Sequence, residues 1–242
     1  MKKFMRVSFF ALAAALFTAG VALAGPMTAG ESFKAFTVAL EIFDGSLADR
    51  LGSIPDGAID ADHAIPMDPI ANLEDGAYWP VTHVGEKNKK LDGEKKEWGL
   101  KEIKYDEKGG DFKITLTEEY GWKFTYEGTY DPAADALSWR FVQTRDDGGI
   151  LADIYFDCRK TDFGYAAQLY DARLDAVHKL AINGANGSVG WDYDEGASRE
   201  PLPANVGLDY PKTCRTWYAV SGKTLGFKPL DGEPREFEAA KK

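Results

Sequence analysis

Bulky apolar side chains alternate with polar ones through the middle of the chain, over residues 111–158. Alternation with a period of two, in aromatic and β-branched residues, indicates strands with one buried face. Short turn-rich segments separate these strands, so neighbours must be antiparallel. The pattern predicts a four-stranded meander whose inward residues are Phe112, Ile114, Leu116, Trp122, Phe124, Tyr126, Leu137, Trp139, Phe141, Ile154, Phe156 and Cys158.

Shorter patterns extend this prediction in both directions. Two earlier strands carry the predicted meander over 77–158, and short strands with loops are expected over 185–242. A change of phase between Leu100 and Ile103 predicts a bulge near Glu102. The sequence thus predicts a mainly β (α+β) domain, with the sheet as a small barrel, a strongly curled open sheet or a sandwich. The added strands are expected near 77–84, 97–105, 188–193, 215–221 and 224–228.

Two segments place apolar residues at three- and four-residue steps, which is typical of amphipathic helices. The first predicts a helix over 31–52, with an apolar stripe of Phe33, Phe36, Leu40, Phe43, Leu47 and Leu51. The second predicts a helix over 163–182, with a stripe of Phe163, Ala167, Tyr170, Leu174, Val177 and Ala181. A strand pair is the alternative for the second segment. Both helices are expected to flank the sheet.

A long loop is expected over 52–76, because this segment is rich in Gly, Pro and Asp. Loops of this length are unusual in compact domains, so the segment either covers the core or carries function.

The first residues have the layout of a secretory signal peptide. Three basic residues precede an apolar run, and Ala22-Leu23-Ala24 before Gly25-Pro26 resembles an A-x-A cleavage site. The run is shorter than the roughly 20 residues of a membrane span, although an uncleaved anchor is the alternative. We expect a signal peptide over 1–24, a single globular domain over 25–242 without a membrane span, and a periplasmic or secreted location.

The charge balance excludes one class of partner. The chain has 29 basic and 39 acidic residues, and loss of the three basic leader residues gives the mature part a net charge of −13. Such a surface repels nucleic acid. We expect no nucleic-acid partner, and instead a small molecule or an envelope protein.

The chain has two cysteines, Cys158 and Cys214. A lone pair in an oxidising compartment usually forms a disulfide. Redox-active pairs use a close C-x-x-C spacing, which is not found here. The sequence therefore predicts a structural disulfide that ties the C-terminal tail to the end of the meander.

Aromatic side chains are concentrated on one face of the predicted meander. Trp122, Phe124, Tyr126, Trp139 and Phe141 could form a packed core. They could also line a cavity for a small apolar or aromatic ligand, since ligand sites are mostly apolar with a few placed polar groups. Alternation alone leaves both interpretations open.

An acidic knot follows the predicted strand near residue 190. Asp192, Asp194 and Glu195 offer oxygen ligands that could bind a hard cation such as calcium. The complete D-x-D-x-D-G motif is missing, and a solvated acidic surface is the alternative.

No motif for a nucleophile, a zinc-dependent hydrolase or a phosphate loop is found along the chain. The sequence therefore predicts no catalytic residue and no cofactor. The favoured function is an exported, non-enzymatic binding or accessory protein. A secreted hydrolase that uses scattered carboxylates, and an envelope interaction or inhibitor domain, are the alternatives.

Overall fold

The computed structural model describes residues 27–54, 59, 73, 78–86, 95, 98–194 and 197–238. The predicted signal peptide over 1–24 and most of the predicted loop over 52–76 lie outside these residues. The described chain forms helix α1 (Ala29–Leu51), two short 3₁₀ turns (Trp79–His83 and Tyr210–Thr213) and eleven strands. The strands are β1 (Leu100–Lys108), β2 (Asp111–Glu118), β3 (Lys123–Asp131), β4 (Ala136–Thr144), β5 (Ile150–Thr161), β6 (Gly164–Asp171), β7 (Ala176–Asn183), β8 (Asn186–Tyr193), β9 (Thr216–Ser221), β10 (Thr224–Lys228) and β11 (Arg235–Glu238).

All eleven strands belong to one sheet, in the order in which they follow along the chain. Each strand pairs antiparallel with the next, so the predicted antiparallel meander is confirmed and continues to β11. The register shifts between Leu100 and Glu102, where a bulge was expected. Among the described residues, β1 and β11 do not pair with each other, so the sheet is open and the predicted barrel is not confirmed.

Helix α1 begins with a capping box. Thr28 Oγ1 accepts a hydrogen bond from Glu31 N at 3.2 Å, and Glu31 Oε2 accepts one from Thr28 N at 2.8 Å. These two bonds satisfy backbone donors that the first helical turn leaves unpaired. In the same turn, a Cβ on Gly30 would lie only 2.4 Å from the carbonyl oxygen of Thr82, so glycine allows the helix to contact the first 3₁₀ turn.

The apolar stripe of α1 crosses the strands of the sheet. Near its start, the Phe33 ring meets Trp139 of β4 edge-on, with centroids 6.0 Å apart. Near its end, Arg50 Nη2 donates to the Gly222 carbonyl between β9 and β10 at 2.9 Å. Full burial of each large side chain in this stripe contributes roughly 1.5–3 kcal/mol. The face covered by α1 is called the inner face below.

The outer face of β6–β9 is covered by the segment 197–215. Three side chains hold it there. Gln168 Nε2 donates to the Glu200 carbonyl, Ser188 Oγ donates to the Leu208 carbonyl, and the Tyr210 hydroxyl donates to Gln168 Oε1, each at 2.6 Å. Strands β6–β9 are therefore enclosed on both sides.

The predicted helix over 163–182 is wrong, because this segment forms β6 and β7. Both faces of these strands are buried, so apolar residues occur at consecutive positions rather than at alternate ones. A nearly continuous apolar run contains residues at three- and four-residue steps as well, so it can resemble the pattern of an amphipathic helix. In the expected strand 77–84, the described residues 78–84 contain the 3₁₀ turn Trp79–His83 instead, since Pro80 has no N–H for a ladder.

The predicted disulfide between Cys158 and Cys214 is wrong as well. Both thiols are free and buried. Cys158 alternates in phase with Phe156 on the inner face of β5, in the core that contains α1. Cys214 lies on the outer face, where its Cβ is 3.0 Å from the position of a Cβ on Gly190. The sheet itself separates the two sulfur atoms, and a disulfide needs the two Cβ atoms within about 4.5 Å.

Candidate functional site

An aromatic-lined cavity of about 500 Å³ lies on the inner face, between the 3₁₀ turn Trp79–His83 and the sheet. We call it the aromatic cavity. Helix α1 has its largest contact with this 3₁₀ turn and otherwise packs on β4 and β7–β10, so the cavity lies beside the α1 stripe rather than beneath it. Its aromatic side chains are Tyr78, Trp79, Trp98, Phe124, Tyr126 and Phe141.

The register of strands β2 to β5 places the residues that line the cavity on the sheet next to one another. Leu116, Phe124, Gln143 and Ala152 stand opposite one another on β2 to β5. The next inward row contains Tyr126 and Phe141, paired across β3 and β4. Because residues on one face of a sheet repeat every second position, these two rows form one continuous wall.

Ring contacts hold this wall in place. Phe124 and Phe141 stack with centroids 6.3 Å apart, and Tyr126 lies 5.0 Å from Phe141. Tyr78, which precedes the 3₁₀ turn, meets Phe141 edge-on at 5.4 Å. Aromatic pairs in these geometries contribute about 0.5–1.5 kcal/mol beyond the area they bury. The wall is therefore preformed before any ligand arrives.

Two indoles form a second wall. Trp79 and Trp98 stack nearly parallel, with centroids 5.7 Å apart and planes at 13°. Trp98 lines the cavity while it is 55 % exposed, so it lies where the cavity meets solvent. An exposed indole held in a stack is a ready contact surface for a ligand.

The polar groups of the cavity are few. Glu118, Gln143 and Asp171 line it together with the rings. Burial raises the pKa of the Tyr78 hydroxyl, and the negative charge of Asp171 raises it further. Burial also raises the pKa of the Tyr126 hydroxyl. Both phenols stay protonated at physiological pH, so they keep hydrogen-bond donors inside an apolar site.

The structure separates the five aromatic residues that the sequence suggested for ligand binding. Phe124, Tyr126 and Phe141 line the cavity. Trp139 is buried instead against α1 and stacks on Phe156 at 4.9 Å. Trp122 precedes β3 and is 41 % exposed, outside the cavity lining.

Half of the aromatic lining was missed by sequence reasoning. Tyr78, Trp79 and Trp98 lie before β1, within the segments where strands were expected near 77–84 and 97–105. The local excess of large aromatic residues in these two segments is the signal that could have indicated them.

The acidic knot has a different environment. Asp192 lies on the outer face, where its Oδ1 accepts a hydrogen bond from Arg215 N at 2.7 Å and lies 3.5 Å from Arg215 Nε. Asp194 follows at a φ of 53°, and Glu195 lies outside the described residues. Among the described residues, no group of three His, Cys, Asp or Glu side chains could hold a metal ion. A metal at Asp192, Asp194 and Glu195 stays a prediction, and Arg215 already provides a positive charge there.

A larger groove of about 730 Å³ lies on the outer face of β1–β5. It is polar, and its arginines are already held by neighbours. Arg140 forms two hydrogen bonds of 2.8 Å with Asp153, and the Arg199 guanidinium carbon lies 3.6 Å from the centre of the Tyr155 ring. Burial raises the pKa of Asp157 in this groove. Held charges of both signs make this groove a less specific binding surface than the aromatic cavity.

Comparison with protein-family models, curated proteins and solved structures finds no match to this chain. Within the part of the chain that the structure describes, no helix has both the length and the apolar character needed to cross a bilayer.

Proposed function

We propose that this chain is an exported, non-enzymatic binding protein whose aromatic cavity takes a small apolar or aromatic ligand. The observation that carries the proposal is a preformed cavity of about 500 Å³ with six aromatic residues and three polar ones in its lining. Ligand sites for small molecules have volumes of about 300–1,000 Å³ and this composition.

The distribution of rings on the inner face supports a cavity rather than a filled core. Where α1 crosses the sheet, its phenylalanines fill the space above the strands, as Phe33 does against Trp139 and Phe156. Over β2 and β3, the Leu116 and Phe124 row faces the aromatic cavity instead. The same sheet face is thus packed against α1 in one region and borders the aromatic cavity in another.

The chemistry of the lining supports binding rather than catalysis. Its described residues include the carboxylates Glu118 and Asp171 but no serine, cysteine, histidine or lysine. A nucleophile with an adjacent base, as acyl transfer requires, is therefore not assembled among them. Export is supported by the basic and apolar layout of residues 1–24.

A neutral fluorescent probe tests the binding proposal. N-phenyl-1-naphthylamine, which emits strongly only in apolar surroundings, is titrated into the purified protein. We expect saturable binding with a stoichiometry of one. Absence of a saturable signal would overturn the proposed function.

Two exposed indoles provide a matched pair of variants for this titration. Trp98→Ala removes a ring of the cavity, and we expect it to weaken probe binding about tenfold, equivalent to about 1.4 kcal/mol. Trp122→Ala removes a similarly exposed indole outside the cavity and is expected to change the affinity less than twofold. Equal effects of the two variants would place the probe elsewhere on the surface.

Export has its own test. Expression of the full chain in a Gram-negative bacterium, followed by cell fractionation and mass spectrometry, is expected to give a periplasmic protein that begins at Gly25. A cytoplasmic protein with residues 1–24 intact would contradict this part of the proposal.

A further inference from the structure

We infer that the ligand of the aromatic cavity carries a positive charge, as an organic ammonium ion does. This inference rests on the proposed function, since it names the chemical class of ligand for the same cavity. It is carried by the combination of aromatic faces with carboxylates in the lining.

The charges of the lining have one sign. Glu118 and Asp171 are its charged members among the described residues, and no arginine, lysine or histidine of the described chain joins them. Both lie on the inner face at strand ends, in phase with Leu116 of β2 and Leu169 of β6. They come from strands that are four positions apart in the sheet, so the carboxylates approach the cavity from separate sides.

Among the described residues, no basic side chain neutralises these carboxylates. Asp171 Oδ1 accepts hydrogen bonds from the backbone N–H groups of Arg173 at 2.8 Å and Leu174 at 3.3 Å. Within the described part of the chain, no ion pair joins Asp171 or Glu118 to a basic side chain. The turn therefore fixes the Asp171 carboxylate in position without cancelling its charge.

The field of Asp171 reaches into the cavity. Its charge contributes to the raised pKa of Tyr78, whose ring lines the aromatic wall. A ligand that fills the cavity displaces water from Asp171 and Glu118. Desolvation of a carboxylate is costly unless an opposite charge compensates it. An uncharged or anionic ligand provides no such compensation, whereas a cation does.

The aromatic rings also attract a cation, in addition to the carboxylates. The faces of Trp, Tyr and Phe rings attract a cation within about 6 Å of their centres, and Trp does so most strongly. The stacked pair of Trp79 and Trp98 and the wall of Tyr78, Phe124 and Phe141 surround one volume. Quaternary ammonium groups are recognised by aromatic cages of this kind. A neutral aromatic ligand would use the rings alone.

Two ligands of equal shape and different charge provide the test. Benzyltrimethylammonium and 2,2-dimethylpropylbenzene differ in one atom, nitrogen for carbon, and in the charge. Each competes with bound N-phenyl-1-naphthylamine on the purified protein. We expect the ammonium ligand to bind at least tenfold more tightly than its uncharged counterpart.

Charge-removing variants show whether this preference arises in the cavity. Asp171→Asn and Glu118→Gln, combined, are expected to reduce the preference to below threefold while binding of the neutral probe is retained. Asn keeps the acceptor oxygen that the turn uses. Glu119→Gln removes an exposed charge beside Glu118 and serves as the control, with the preference unchanged.

The outcomes separate the two proposals. If the neutral probe binds and the ammonium preference is below twofold, the charge inference is wrong and the binding function stands. If the preference survives in the double variant, it reflects the overall negative charge of the protein and the inference is also wrong. If neither the probe nor the two ligands bind, both proposals fail.

Discussion

The hydroxyl of Tyr130 donates a hydrogen bond of 2.9 Å to Asp135 Oδ1, and an equivalent bond of 2.9 Å joins Tyr170 to Asp175. The two aspartates also share an unusual backbone conformation, with φ of 41° and 44°. Both bonds close a β-hairpin turn, one between β3 and β4 and the other between β6 and β7. The two turns are thus copies of one local structure.

The sequence of the two turns is also repeated. Tyr-Asp-Pro-Ala-Ala-Asp-Ala-Leu over 130–137 corresponds to Tyr-Asp-Ala-Arg-Leu-Asp-Ala-Val over 170–177. The second residue of each copy caps its turn, since Asp131 and Asp171 accept backbone N–H bonds at 2.9 and 2.8 Å. Aspartate suits the capping position because its short side chain accepts hydrogen bonds from the nearby backbone. It suits the last turn position, 135 or 175, because it tolerates a positive φ.

Stability should differ between the two copies. Ser32 of α1, which is 1 % exposed, donates to Asp135 Oδ1 at 2.7 Å. Asp135→Ala therefore leaves two buried hydroxyls without this acceptor, and we expect a loss of about 2–4 kcal/mol in the free energy of unfolding. Asp175→Ala at the exposed copy is expected to cost about 1 kcal/mol. Urea unfolding measures both.

The turn conformation is the same at the two positions, so the difference between the variants reports the buried hydroxyls of Ser32 and Tyr130. In a double-mutant cycle, Ser32→Ala should cost less in the Asp135→Ala background than in the wild type. Equal costs for Asp135→Ala and Asp175→Ala would contradict a special role for the first turn.

The cysteines should behave as two buried thiols. Burial raises the pKa of Cys158, and it raises that of Cys214 to about 12. Because the thiolate is the reactive form, we expect neither to react with a thiol reagent in the native protein. Both should react after unfolding without a reductant, and dithiothreitol should leave the melting temperature unchanged. Fewer than two reactive thiols in the unfolded protein would show a disulfide.

Packing of the outer segment should depend on one glycine. A Cβ on Gly190 of β8 would lie 2.0 Å from the Pro211 carbonyl oxygen. Gly190→Ala must push the segment 197–215 away from the sheet, and overpacking of this kind costs about 1–3 kcal/mol. Gly207→Ala, at a position with no atom within 4 Å of the added methyl, serves as the control and is expected to change stability by less than about 0.5 kcal/mol. Thermal unfolding distinguishes the two.

The partly buried carboxylate of Asp157 should make the free energy of unfolding depend on pH. Burial raises its pKa above the ordinary aspartate value of 3.8, so the folded state binds the proton more tightly than the unfolded state does. Asp157 therefore favours folding when it is protonated, and it opposes folding as the pH rises above 3.8 through the folded-state value.

Replacement of the Asp157 carboxylate tests whether its negative charge opposes folding at neutral pH. Asp157→Asn is expected to raise the melting temperature at pH 7, with a gain that fades below pH 4. The exposed Asp162→Asn serves as the control and should show no such trend. A lower melting temperature for Asp157→Asn at pH 7 would contradict the raised pKa.

The sequence predicted the sheet where its two faces have different surroundings. Along β2 to β5, Phe112, Leu137 and Phe156 face the core while Lys113, Ser138 and Tyr155 lie on the outer face, so alternation is clear. Along β6 and β7, segment 197–215 buries the outer face too, and Ala166 and Ala181 are as buried as Leu169 and Leu180. A pattern of burial alone cannot then distinguish a strand pair from a helix.

Only part of the lining of the aromatic cavity was predicted, for a related reason. Alternation indicates which face a side chain joins, but not what covers that face at each point along the strand. Trp139 and Phe141 share one face of β4, yet α1 covers the first and the aromatic cavity meets the second. Trp79 and Trp98 belong to irregular segments, whose positions depend on tertiary contacts.

The path of α1 has a consequence for the order of assembly. Each strand of the meander can pair as soon as the next has been made, because all neighbours in the sheet are neighbours in sequence. Helix α1 emerges first, but the Gly222 carbonyl that its Arg50 contacts lies 172 residues later. The C-terminal end of the helix therefore cannot complete its contacts until almost the whole sheet has been synthesised, whereas Phe33 can pack as soon as β4 and β5 have formed.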